Sequence, residues 1–124
     1  MLLKKDRRGS GLGSLEIKKQ RNILIVSIYG EFDLSAADYC RRDIDQKMRE
    51  YGAKHILFDL DGVTFIDSSG LGVILGRYRK VTEQGGKVAI SNASPKILRI
   101  LELAGLSRLI SIYPDASNAL RQLA

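Results

Sequence analysis

Leu24, Val26 and Ile28 alternate with less regular neighbours from residue 23 onward, the period-2 pattern of a strand with one inward face. Together with the run at 15–19 it predicts two strands, 15–19 and 23–29, joined by a turn at Gln20-Arg21-Asn22. Gly30-Glu31-Phe32-Asp33 is then expected to leave the sheet. Ser35 is placed as the N-cap of a helix reaching about Tyr51, with Gly52 as the residue just past its end. Ala36, Tyr39/Cys40, Ile44 and Lys47/Met48 fall on one stripe of that helix. Residues 55–60 form a short, mostly apolar run suited to a buried central strand. A second helix is expected from near Ser68 to about Gln84, with Leu71, Ile74/Leu75, Tyr78 and Val81 facing inward and Gly85-Gly86 ending it. Another strand follows at 87–91. Ser94 as cap and Pro95 at the first helical position open a helix through Ala104 that Gly105 closes. Residues 109–113 read as a last strand, and Asp115 caps a final amphipathic helix. The order β-β-α-β-α-β-α-β-α predicts an α/β domain, with a mixed sheet of about 4–5 strands packed against about four helices.

With 124 residues the chain has room for one domain with one core. Residues 1–14, which include Gly9-Ser10-Gly11-Leu12-Gly13-Ser14, read as a flexible basic and Gly/Ser leader; the folded domain is expected over 15–124. The net charge of +6 raises the question of nucleic acid. Residues 1–21 hold seven cations against two acids, so the rest of the chain is nearly neutral. No Lys/Arg stripe with interleaved aromatics marks that body, so direct nucleic-acid binding is not expected. No apolar run approaches the ~20 residues that span a bilayer, and no apolar stretch of a secretory signal follows the first basic residues. No membrane association is expected. A single cysteine, Cys40, fits packing in a helix and a reducing cytoplasm. His55 has no Cys or second His to join it in a metal site, and reads as a strand-entry residue.

Two motifs compete in the centre. Ile56-Leu57-Phe58-Asp59-Leu60-Asp61-Gly62 resembles the first motif of haloacid-dehalogenase-type phosphatases, in which the first Asp accepts a phosphoryl group and the second acts as acid/base. That chemistry needs Mg²⁺ and further acids to hold it. After Asp67 the chain has only Glu83, Glu102 and Asp115, none paired. Asp59 and Asp61 are therefore read as polar punctuation at a strand end, with Gly62 turning the chain. A serine hydrolase is equally poorly served, since Gly-x-Ser-x-Gly is absent and His55 is the only histidine. No catalytic residue, metal site or cofactor is assigned.

The second motif is Phe65-Ile66-Asp67-Ser68-Ser69-Gly70-Leu71-Gly72-Val73-Ile74-Leu75-Gly76-Arg77-Tyr78-Arg79. Two hydroxyls sit where a loop enters a helix, a place whose unpaired N–H groups and dipole suit an oxygen anion. The glycines leave the backbone bare to an approaching protein. Local chemistry leaves two readings open: a phosphorylatable serine, or a plain helix cap at Ser68 or Ser69.

At this segment the chain resembles the STAS-domain anti-sigma-factor antagonists, and most closely their sporulation, sigma-F branch. The resemblance runs from about Leu15 to the C-terminus and also rests on Gly30-Glu31-Phe32-Asp33 and Ala104-Gly105-Leu106. It implies a single STAS domain and a partner-switching cycle. The unphosphorylated protein would bind an anti-sigma factor that is also a serine kinase, carrying its own nucleotide, and so release the sigma factor. That kinase would phosphorylate the first serine of Asp-Ser-Ser-Gly, here Ser68, and a PP2C-type phosphatase would restore it. Asp33 matches the family's Asp beside the phosphorylatable serine, and Arg77 a basic position on the same helix. The partner-binding set implied is Asp33, Asp67, Ser68, Ser69, Gly70, Leu71, Gly72 and Arg77. A STAS module of another regulatory or transport system is the alternative within the same fold.

Overall fold

The computed structural model describes residues 2–6 and 13–124. Six strands form one sheet in chain order: β1 (Leu2–Asp6), β2 (Ser14–Gln20), β3 (Ile23–Phe32), β4 (His55–Ile66), β5 (Val88–Ser91) and β6 (Ser111–Tyr113). β1, β2 and β3 pair antiparallel, whereas β3 through β6 run parallel. The crossovers are the helices α1 (Leu34–Tyr51), α2 (Ser68–Glu83) and α3 (Pro95–Leu103), the last followed by a 3₁₀ turn at Leu106–Arg108; α4 (Ala116–Leu123) ends the chain. None of the helices among the described residues is long and apolar enough to cross a membrane.

Because the parallel strands advance in one direction, right-handed crossovers put their helices on one face of the sheet. There Val26, Ile28, Ile56, Phe58 and Ile90 pack with Cys40 and Ile44 of α1, Val73 and Ile74 of α2, and Ile97 and Leu101 of α3. On the opposite face α4 lays Ala119 and Leu123 over Ile23, Ile25, Leu57 and Ala89. The first half of β4 is thus buried on both sides, which explains its unbroken apolar run. Cys40 is fully buried, as its place on the stripe implied. His55 opens β4, and its Nδ1 accepts the Lys87 N–H at 2.9 Å.

The mixed sheet and the four helices match the expected class. Several local expectations do not hold. Residues 30–32 stay in β3, and β4 runs twelve residues, straight through Asp61-Gly62. The ladder to β3 absorbs the excess as register shifts, one between Ser27 and Tyr29 and one between Gly30 and Glu31. Gly62 makes room instead of a turn: a Cβ there would lie 2.3 Å from Cδ1 of Tyr29. On α2 the buried face is Gly70, Val73, Ile74, Arg77 and Val81, rotated from the expected stripe; Leu71 and Tyr78 are only partly buried. The last strand is shorter than 109–113, since the N–H groups of Leu109 and Ile110 bond back to the Leu106 carbonyl and close the 3₁₀ turn.

Of the leader expected over residues 1–14, Leu2–Asp6 lies as a strand along the outer edge of β2, with Leu2 opposite Lys18 and Asp6 opposite Ser14. An unpaired β2 edge presents free N–H and C=O groups, which an extended segment can satisfy whatever its side chains. Met1 and residues 7–12 lie outside the described residues. Gly13 is buried, and its carbonyl accepts the Tyr39 hydroxyl at 2.6 Å.

Candidate functional site

β3 and β4 end in register, Phe32 beside Ile66, and each strand is followed at once by an aspartate. Asp33 and Asp67 have nearly the same backbone conformation (φ −118°, ψ −170° and φ −116°, ψ −172°), and each caps the helix that it precedes. Oδ1 of Asp33 accepts the N–H of Ser35 at 3.1 Å and of Ala36 at 3.2 Å. Oδ1 of Asp67 accepts the N–H of Ser69 at 2.9 Å and of Gly70 at 3.2 Å. The expected cap at Ser35 is therefore corrected to Asp33. Ser35 is inside the helix, and its hydroxyl donates to the same Asp33 oxygen at 2.6 Å.

The same geometry decides what Ser68 and Ser69 do not do. Neither hydroxyl caps α2, because Asp67 already holds the N–H groups that a capping oxygen would take. Ser68 is the first helical residue and is exposed; Ser69 is half-buried. A phosphate on Ser68 would thus find two donors of the first turn occupied by a carboxylate, and a second acidic residue, Asp33, following the end of the neighbouring strand. The helix start is less hospitable to an added anion than its sequence implied.

The glycines divide the segment into an inner and an outer side. Gly70 is pressed against β3, where a Cβ would lie 2.3 Å from the Phe32 carbonyl oxygen. Leu71 packs partly against the core. Gly72 is exposed, with nothing within 4 Å of where a Cβ would stand. Leu34, the first residue of α1 and the counterpart of Ser68, is 72% exposed. The sequence reading missed it, although an apolar residue off the Ala36/Cys40/Ile44 stripe was a usable signal.

Asp33 and residues 67–72 are brought together. Arg77 is not. It lies more than two turns along α2, is 6% exposed, and places Nε 3.1 Å from Oδ1 of Asp45 on α1. Burial holds its pKa below the ordinary guanidinium value, with Asp45 acting in the other direction. Its position joins the two helices and does not reach the Ser68 surface.

Asp59 is engaged in hydrogen bonds within the fold. Oδ1 of Asp59 accepts the Asp61 N–H at 3.1 Å and the Asn92 side-chain amide at 3.2 Å, which ties β4 to the loop after β5. Among the described residues no three His, Cys, Asp or Glu side chains converge as metal ligands.

Comparison with known proteins places this geometry. The STAS-domain family model matches residues 14–119. The anti-sigma F factor antagonist of Paenibacillus polymyxa is 38% identical over 109 residues, covering 88% of this chain and 93% of that protein. The anti-sigma-B factor antagonist of Bacillus subtilis is 32% identical over 108 residues, covering 87% and 97%. Among solved structures, the anti-sigma factor antagonist SpoIIAA in its unphosphorylated form superposes with a TM-score of 0.76, at 23% identity over 87% of this chain and 94% of that one. Its phosphorylated form, from Bacillus, gives 0.71 at 22% identity over 89% and 99%. The two structures speak to the fold, and the family match and the two sequence relatives to ancestry. On these grounds the chain belongs to the STAS-domain family.

Proposed function

We propose that this chain is an anti-sigma-factor antagonist, a cytoplasmic binding protein without catalysis of its own, switched by phosphorylation of Ser68. The observation that carries the reading is the cap at Asp67, which leaves Ser68 exposed at the helix start next to that carboxylate, with Asp33 following the end of the neighbouring strand. The unmodified surface of Asp33, Leu34, Asp67, Ser68, Ser69 and Gly72 binds an anti-sigma factor that is also a serine kinase and holds a nucleotide. Gly70 and Leu71 set the shape of that surface from below. Both sequence relatives are antagonists of anti-sigma factors, which supports the partner, and SpoIIAA is known in a phosphorylated form, which supports the modification.

Phosphorylation adds about −1.5 to −2 charge. Placed between Asp67 and a partner pocket with an anionic nucleotide, it buries like charges at a cost of several kcal/mol. A few kcal/mol lowers affinity by factors of hundreds, enough to exchange partners with the fold unchanged. A PP2C-type phosphatase resets the cycle, and sporulation is the system that the resemblance to the sigma-F branch implies.

The test is incubation with the cognate kinase and ATP, read by intact mass. One phosphate is expected on the parent chain and on Ser69→Ala, and none on Ser68→Ala. Equal labelling of Ser68→Ala would refute the site. Tight binding of the anti-sigma factor by Ser68→Asp would refute the charge argument.

A further inference from the structure

Leu34 is an apolar side chain for which the fold has no evident use. It is the first residue of α1, off the Ala36, Ala37, Cys40 and Ile44 face that packs on the sheet, and it is 72% exposed. α1 starts without its help, since the Asp33 carboxylate is the cap and the buried face begins at Ala36. Five large hydrophobic side chains are left exposed among the described residues: Tyr29, Leu34, Phe65, Leu103 and Leu109. Two of these belong to the end of the sheet that carries Ser68. Leu34 comes one residue after Asp33 and Phe65 two before Asp67, at strand ends where Glu31 pairs with Phe65 and Phe32 with Ile66. The charge around them is of one sign. The chain holds no Lys or Arg from 22 to 40 or from 55 to 76, whereas Glu31, Asp33, Asp38, Asp59, Asp61 and Asp67 all fall there. A lone exposed leucine is ordinary on a protein surface. This one is set among acidic residues, at the position on α1 that Ser68 holds on α2.

We propose, resting on the function given above, that Leu34 is the apolar anchor of the anti-sigma-factor interface. The partner then carries an apolar socket for the leucine, with cations beside it that face Glu31 and Asp33. A few side chains lodged in sockets and ringed by polar contacts supply most of the affinity of an interface. Cations at the rim of the socket steer the approach and turn away other acidic surfaces. The two βα units divide the work: α1 presents the anchor and α2 the switch. Phosphate on Ser68 acts through the partner's nucleotide and leaves the leucine itself unchanged.

The test is binding of the unmodified full chain to the anti-sigma factor kinase of the labelling experiment, by calorimetry and stopped flow, beside melting curves. Leu34→Ala is expected to weaken binding about thirtyfold with the melting midpoint unchanged. Leu34→Met is expected to stay within about threefold of the parent, as a volume-conserving apolar change. Leu103→Ala, a change at a similarly exposed leucine of α3, is expected to bind as the parent does. The association rate of the parent should fall as salt is raised. In the kinase reaction Leu34→Ala should raise KM and spare kcat, as lost uniform binding does. Undiminished binding by Leu34→Ala, an equal loss in Leu103→Ala, or an association rate indifferent to salt would overturn the anchor and leave phosphorylation of Ser68 standing. No binding by the parent chain would overturn both.

Discussion

Asp33 and Asp67 stand side by side at the ends of two paired parallel strands, each closing the first turn of its own helix through one carboxylate oxygen. The two βα units are copies of one local solution. They differ in the residue just after the cap: an exposed leucine in α1, an exposed serine in α2.

That division of labour separates Asp67 from Ser68 by mutation. Asp67→Ala is expected to cost about 1 kcal/mol of stability, the loss of a good N-cap. Ser68→Ala is expected to stay within about 0.5 kcal/mol, as an exposed substitution that removes no cap. Urea midpoints of the two variants check this, and equal losses would show that the Ser68 hydroxyl shares in holding the helix.

Gly70 and Gly72 are expected to respond in opposite directions. A methyl group at Gly70 meets the Phe32 carbonyl and should cost about 1–3 kcal/mol by forcing α2 off the strand end. At Gly72 the space is open, so Ala should raise stability by about 0.5–1 kcal/mol through helix propensity. If Gly72 lies under the anti-sigma factor, the same Gly72→Ala change weakens binding while raising the thermal midpoint. A binding assay beside a melting curve reads both.

What could be read from sequence was the architecture; what could not was which of several polar neighbours takes a given job. Ser35 and Asp33 are both good caps two residues apart, and only the end of β3 at Phe32 decides between them. Asp61-Gly62 carries turn chemistry, yet the ladder to β3 keeps it extended and the Tyr29 ring fills the space that Gly62 vacates. Arg77 shares a helix with Ser68, but its orientation follows from the packing of α2 on α1, a non-local relation absent from any short motif. The edge strand Leu2–Asp6 lacks a clean hydrophobic alternation, and nothing local announces it.

Asp45→Ala is expected to destabilise more than other changes on α1 that are similarly half-exposed. It leaves Arg77 buried without its counter-charge, at a cost of about 2–4 kcal/mol. The double variant Asp45→Ala/Arg77→Met should recover a large part of that loss, since an apolar side chain can fill the same space. Chemical denaturation of the parent chain, Asp45→Ala, Arg77→Met and the double variant forms the thermodynamic cycle that checks it.

The pH dependence should carry a signature of His55. Burial, with Lys54 and Lys87 nearby, lowers its pKa, and its Nδ1 is engaged as an acceptor. A histidine whose folded pKa is depressed below the unfolded value of about 6.5 contributes stability that is fully present above that value. The contribution is lost as pH falls from there toward the folded pKa. Stability measured between pH 7.5 and 5 should therefore decline for the parent chain and decline less steeply for His55→Gln.

The strand order of the sheet is also the order of the chain, so no strand has to be inserted between two that are already paired. Each new strand closes only the loop or helix just made, which keeps the entropic cost of each addition small. During synthesis the β2–β3 hairpin can form first, within microseconds once free, and each later βα unit emerges to find its neighbour already in place. The domain can thus grow by accretion from its N-terminal edge, and the two aspartate caps are set in succession as β3 and then β4 are completed.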